Sequence, residues 1–397
     1  MGDYKILSLD GGGAWALIQA QTLLNLYGDI PGREILRKFD LVAATSGGSL
    51  VAGALAVGMK PTEVFELFDN EDYRRKVFVD KAFAFVSRIL GIGPRYITEK
   101  KLSGLREILA NGSKCKINGD APLNGLKFDP NEKFPHFLIT AFDYDRQRAV
   151  FFRSDENSKA GSDPGRYKPA RLAEALHASS NAPVNYFDGP AQFDNPDFAG
   201  RRFWDGGTAG LNNPVLAGVM EAVANNEVPA NIRVMSIGTG SVMLPVENSS
   251  VHPPLAISRT SSGLFTDIKK LATTIVDDPP DTATYEAYRI LHGGLEGNPD
   301  NIRVVRFNPL IQPRRKSGQW VLPGTLDYKE FELLVKMDMD AVKQDEVDLI
   351  KQFCDLWIKG DVNNQPVQVG SYDDMSCKIG QPTFKEARLA AERNGFI

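Results

Sequence analysis

At 397 residues, with 42% hydrophobic and 24% charged side chains, the chain has the composition of an enzyme-sized globular protein and not that of a disordered or fibrous one. A formal charge of −4, from 46 basic and 50 acidic residues, excludes global attraction to nucleic acid, so no nucleic acid polymer is expected as a partner and any membrane contact must be local. The three cysteines, Cys115, Cys354 and Cys377, are odd in number and widely spaced, which suggests neither a disulfide framework nor a metal site, and no run reaches the ~20 apolar residues of a membrane span. With no secretory pattern at residue 1, the expected location is the cytoplasm, or the cytoplasmic periphery of a membrane.

The first element is a β-type run at 4–9 that ends in Asp10-Gly11-Gly12-Gly13 and passes into an apolar helical stretch, 14–27. The design then repeats: a buried strand at 39–43, a turn at Thr45-Ser46-Gly47-Gly48, and a small-residue helix at 49–57. Two strand-turn-helix units in succession predict an α/β fold with a parallel-rich central sheet flanked by helices. Further strands are expected at 136–142, 149–152, 233–237 and 302–307, and helices at 61–68, 171–178, 214–224, 266–275 and 328–358, the last in one piece or two. Val347, Ile350, Cys354 and Trp357 recur at helical spacing and read as core. Loops at 154–168, 188–201, 241–264 and 294–301 are candidates for lids and substrate surfaces. The composition changes near Gly360, which divides the chain into a main domain, 1–360, and a polar tail, 361–397, either regulatory or packed on the domain, that ends in a helix-like stretch at 384–393.

Ala44-Thr45-Ser46-Gly47-Gly48 has the form of a nucleophile elbow with alanine in the first glycine place. Such an elbow needs small neighbours so that the backbone can bend and lift the serine Oγ, a need that Ala44, Gly47 and Gly48 meet. Taken alone, the same five residues equally suit a tight packing turn or a phosphate site. Successive glycines at 11–13 expose amides at a helix start, which suits a developing oxyanion or a phosphate; the continuation Ala14-Trp15-Ala16, with no lysine, departs from the nucleotide-binding patterns. Phe203-Trp204-Asp205-Gly206-Gly207 places a carboxylate at the end of an apolar run, before glycines that admit close approach. By itself that is an ordinary turn.

Together these motifs resemble the patatin-like phospholipase family: Asp10 to Gly13, the Ser46 elbow, Asp205-Gly206-Gly207 followed by Asn212-Asn213-Pro214, the small-residue segment Ala175 to Pro183, and Ser236-Ile237-Gly238-Thr239-Gly240. Order and spacing agree over residues 4–240, with a weaker echo to about residue 358, the stretch where supporting helices and a strand are expected at 265–360. The resemblance implies a patatin-like three-layer architecture and a lipid acyl hydrolase of the phospholipase A or lysophospholipase type. It implies Ser46 as nucleophile, Asp205 as its base, and the amides of Gly11, Gly12 and Gly13 as the oxyanion hole, with Ala44, Gly47, Gly48, Gly206 and Gly207 as supports and with neither metal nor cofactor. A free Asp, with a pKa near 3.9, is a poor base at neutral pH, and burial beside Phe203 and Trp204 would raise it. One departure stands out: Trp15 occupies the place where the family usually has a basic residue.

Two alternatives remain. An α/β-hydrolase with a Ser-His-Asp triad would need one of His136, His177, His252 and His292, and His292 is the best placed in sequence. A regulated effector, such as the family's secreted toxins or cyclic-nucleotide-switched antiphage members, would take an activating ligand or protein partner. The aromatic stretch 77–92, preceded by Arg74-Arg75-Lys76, reads as a membrane-facing flap or as a buried helix, and Arg314-Arg315-Lys316 as a phosphate contact or a surface loop.

Overall fold

Apolar residues alternate along the first strands so that neighbours face opposite ways. Ile6, Leu41 and Leu138 join one buried cluster while Leu7, Val42 and Ile139 join another. A sheet covered on both faces follows from that pattern. The computed structural model describes residues 2–81, 93–129, 131–161, 167–247, 255–258, 281–292, 302–317, 319–371 and 376–397. The expected helix at 266–275, the loop at 294–301, His252 and most of the stretch 77–92 lie outside the described residues.

Seven strands form the main sheet: β1 (Tyr4–Leu9), β2 (Leu41–Ala44), β3 (His136–Asp143), β4 (Arg148–Arg153), β5 (Phe203–Asp205), β6 (Ile232–Ile237) and β7 (Val304–Phe307). The order β7-β6-β1-β2-β3 is parallel throughout, and β4 and β5 both pair antiparallel with β3. One face is covered by α1 (Leu17–Tyr27), α2 (Ser46–Ala56), α3 (Pro61–Asp69), α4 (Thr98–Asn111), α5 (Leu172–Ser179) and further C-terminal helices, and the other by α6 (Val215–Ala224) and residues 281–292. The expected mostly parallel, three-layer α/β architecture is therefore present.

The anticipated helix at 328–358 is two, α7 (Tyr328–Lys336) and α8 (Gln344–Lys359), and Val347, Ile350, Cys354 and Trp357 are all buried along α8. Gly47 and Gly48, expected in a turn, belong to the first turn of α2, which opens on Ser46 itself. In residues 361–397, Val362, Phe384, Ala387 and Phe396 are buried in the main core; Phe384 and Ala387 lie on α9 (Phe384–Arg393) and the Phe396 ring stacks on Phe39.

The placement of β5 matters most for function. β2 pairs with residues 136–139 of β3 and β5 with residues 141–143, while β4 takes the opposite edge. β2 and β5 thus share one edge of β3 and run towards each other. Ala44 lies opposite Ile139 and Asp205 opposite Ala141, so the two C-terminal ends converge on Thr140.

Candidate active site

Because β2 and β5 end face to face, Ser46 and Asp205 meet although 159 positions separate them. Ser46 lies close enough to the Asp205 carboxylate for its hydroxyl to pull the carboxyl's pKa down. Ser46 has φ +49°, a left-handed conformation that costs a non-glycine residue energy, as a sharp elbow requires. Its amide donates to Ser179 Oγ at 2.9 Å. Thr45 Oγ1, 2.7 Å from Thr140 Oγ1, also donates to the Leu211 carbonyl and ties the elbow to β3.

The glycines at 47, 48 and 206 are explained by close approach. A Cβ at Gly47 would lie 2.6 Å from the Gly13 carbonyl oxygen, one at Gly48 2.5 Å from the Asp10 carbonyl oxygen, and one at Gly206 2.1 Å from Thr140 Oγ1. The Gly207 amide donates to Asp205 Oδ1 at 2.8 Å. Burial pushes the Asp205 carboxyl up to about 6, against the Ser46 hydroxyl, the Gly207 amide and Lys101, which pull it down.

Of the three glycine amides, that of Gly11 is already engaged: it donates to the Asn212 carbonyl at 2.8 Å. Of the three amides expected as oxyanion donors, Gly11 is thus the one already bonded within the protein. No described residue accepts from the Gly12 or Gly13 amide, so these two are the available donors, and Gly13 lines the same recess as Ser46. Thr239 Oγ1 donates to the Gly11 carbonyl at 2.7 Å, which accounts for the later Ser236 to Gly240 motif as a buttress of the glycine loop.

The loop is fixed from behind by a buried ion pair. Ser8, Ser236 and Arg306 occupy one register across β1, β6 and β7, and the two small serines leave room for the guanidinium to cross the sheet. Arg306 Nη2 reaches Asp10 Oδ2 at 2.6 Å and Nη1 reaches Ser236 Oγ at 2.7 Å, with Asp10 and Arg306 side chains 4% and 1% exposed.

Beside Ser46 lies an apolar recess bounded by Leu50, Val77, Phe78, Phe187 and Met339. Across the glycine loop a second cavity, of about 210 Å³, is lined by Trp15, Asn212, Thr239, Leu334 and Met337, with Met339 shared between the two. Met339 accepts the Ala14 amide at 2.9 Å through its carbonyl, and the flanking Asp338 and Asp340 are held by Arg95, at 3.0 Å each. Trp15 is buried and its indole N–H donates to the Asp338 carbonyl at 3.3 Å, so the usual basic position of the family is filled by packing.

The described histidines lie elsewhere. His292 places Nδ1 on the Tyr288 carbonyl and accepts the Arg303 amide, just before β7 and hence at the N-terminal ends of the parallel strands, the end opposite Ser46. His136 opens β3 at that same end. His177 is fully buried in α5, held well below its ordinary pKa by burial and then by Lys101 and Arg106. The residue that sequence reasoning missed is Lys101, buried next to this site; a lysine in a polar helical stretch carries no local mark of burial.

A model of the patatin-like phospholipase family matches residues 7–219. The chain is 30% identical over 242 residues, 60% of its own length and 63% of the relative's, to the cGAMP-activated phospholipase of Pseudomonas aeruginosa (strain BWHPSA011 / Pa011). It is 27% identical over 289 residues, 69% of its length and 22% of the relative's, to the intracellular phospholipase A2 of Caenorhabditis elegans. To the cUMP-AMP-activated phospholipase of Escherichia coli it is 28% identical over 119 residues, 25% of its length and 36% of the relative's. The chain spans less than two thirds of each of these relatives. The family match runs over more than half of the sequence and takes in the glycine loop, the Ser46 elbow and Asp205: this chain belongs to the patatin-like phospholipase family.

Proposed function

We propose that the protein is a lipid acyl hydrolase working through a Ser46–Asp205 dyad. The observation that carries this reading is the convergence of β2 and β5, which brings Ser46 to the buried Asp205 carboxylate, whose pKa burial raises to about 6, high enough for a useful base yet ionised at neutral pH. Asp205 takes the hydroxyl proton as Oγ attacks the ester carbonyl. The tetrahedral oxyanion is held by the Gly12 and Gly13 amides, where removing one donor costs about 3 kcal/mol. Asp205 then returns the proton to the departing alcohol, leaving an acyl-enzyme. Water, deprotonated by the same carboxylate, releases the fatty acid. The recess beside Ser46 is apolar, as an acyl chain requires, and at about 20 Å³ it has to widen to admit one.

Incubation with phosphatidylcholine vesicles and mass spectrometry of the products tests this. Wild type is expected to yield free fatty acid and lysolipid, and Ser46→Ala neither. Equal product from both would refute the reading.

A regulated enzyme is a second reading, favoured by relatives named as activated by cGAMP and cUMP-AMP. The same assay with and without added cyclic dinucleotide decides it: activity that appears only with the nucleotide supports a switch, and full activity without it removes one.

The triad alternative makes an opposite forecast for His292. Loss of a general base costs about 10²-fold or more, which is the triad's forecast for His292→Gln, whereas the dyad expects hydrolysis of a p-nitrophenyl ester to stay within about twofold of wild type.

A further inference from the structure

The recess beside Ser46 is smaller than the chain it faces, so one of its walls has to give. Most of them are held. Ser46, Gly47 and Leu50 belong to α2, which packs against α5 and the start of the helical stretch after the glycine loop. Phe78 and Phe187 are stacked with Tyr96 in a cluster of rings whose centroids lie 5.1 to 6.0 Å apart. Met339 differs, because the cavity of about 210 Å³ opens on it from the other side. Of the described residues that border the recess, it is the one that also borders the cavity.

The backbone of Met339 is fixed, and its side chain has space to move into. Between α7 and α8 the chain is pinned to the glycine loop by the Met339 carbonyl, 2.9 Å from the Ala14 amide, and to Arg95 by Asp338 and Asp340, 3.0 Å each. The Tyr96 hydroxyl donates to Asp340, and the Arg74 guanidinium donates to the Val342 carbonyl at 2.9 Å. A methionine side chain is unbranched, with three rotatable bonds and a polarisable sulfur, and fits several shapes. It can swing towards the cavity without loosening the loop that carries the oxyanion donors.

The cavity suits a hydrocarbon. Buried Trp15, Ile311 and Leu334, together with Met337, give it an apolar wall. Polar groups on its other side are engaged within the protein: Asp10 with Arg306 at 2.6 Å, Thr239 Oγ1 with the Gly11 carbonyl at 2.7 Å, Ser241 Oγ with Asn308 Nδ2 at 2.8 Å, and Asp281 with Gln365. We propose that Met339 is a specificity-determining residue for acyl-chain length: a long chain displaces its side chain, joins the recess to the cavity, and runs from Ser46 along the Trp15 wall. This rests on the acyl hydrolase reading given above. The substrate class that follows is the long-chain ester, since a short chain stops before the cavity, whereas each methylene that enters it leaves water.

The test is kcat/KM for the p-nitrophenyl esters of butyrate, octanoate, laurate and palmitate with wild type, Met339→Ala, Met339→Ile, Val242→Trp and Ser46→Ala. Ratios within one variant do not depend on how much of it is folded. In Met339→Ala the laurate-to-butyrate ratio is expected to rise about tenfold over wild type, roughly the worth of two more buried methylenes. Met339→Ile keeps the bulk but stiffens the side chain at its first torsion, and the ratio is expected to fall about tenfold. Val242 lines the cavity from its exposed rim, so Val242→Trp fills it from outside and is expected to lower palmitate relative to octanoate about tenfold. A laurate-to-butyrate ratio unmoved in both Met339 variants overturns the proposal, and so does a palmitate-to-octanoate ratio unmoved by Val242→Trp. If the Met339 variants fail to fold, Val242→Trp decides. Ester hydrolysis as fast in Ser46→Ala as in wild type refutes the acyl hydrolase reading instead, which separates the two failures.

Discussion

Replacing Ser46 with alanine is expected to lower kcat on a p-nitrophenyl acyl ester by ~10⁴-fold or more, Asp205→Asn by ~10³-fold or more, and the double variant no further than Ser46→Ala alone. Groups that act as one unit lose their joint effect when either is removed. An asparagine in place of Asp205 keeps an oxygen to accept the Gly207 amide, so the turn survives while the proton acceptor is lost. The pH profile adds an independent check. As the proposed base, Asp205 would work only when ionised, so kcat/KM is expected to rise with pH through a midpoint near 6 and to be lost as pH falls below it. The Asp205→Asn variant's residual rate has no such limb. Steady-state kinetics between pH 4.5 and 9 read both effects, and a wild-type limb retained in Asp205→Asn would contradict the assignment.

Breaking the ion pair behind the glycine loop gives the largest expected change in stability. Arg306→Met leaves the Asp10 carboxyl buried and without its partner, a loss of about 3–5 kcal/mol. Asp10 Oδ1 already lacks a hydrogen bond, so no second contact compensates. The double variant Asp10→Asn/Arg306→Met removes the stranded carboxyl and is expected to recover at least about 1 kcal/mol of that loss. Urea unfolding followed by circular dichroism measures both. A single variant as stable as wild type would mean that the pair contributes nothing.

The parallel strands were readable in sequence because each carries its own pattern. The run at 4–9 is β1 residue for residue, and those at 136–142, 233–237 and 302–307 differ from β3, β6 and β7 by at most two residues at an end. Their apolar alternation is local information. The meeting of Ser46 and Asp205 was foreshadowed too, since both keep the company of small residues that a crowded backbone demands. Less legible was what contacts decide. β5 has three residues, too few for a periodic signal, and exists because β3 offers a free edge beyond β2. α4 is polar, and its Lys101 is buried only because α5 and Phe187 close over it. The partners Asp10 and Arg306 lie 296 positions apart, and nothing near either announces the other. Equally, three glycines in a row do not say which amide is already spent on Asn212.

β3 acts as the ruler of this site. Ser46 and Asp205 follow from two different strands, yet both are indexed against one continuous backbone, with a single residue, Thr140, as the gap between them. Their separation is thereby set by pleat and register, which admit whole-residue steps only. An added residue at that point of β3 would part the two ends by about 3.3 Å and turn one of them to the other face. Small drifts of the surrounding loops leave the spacing of the pair untouched, and tolerance to change in the helices around the sheet can be wide so long as that one interval is kept.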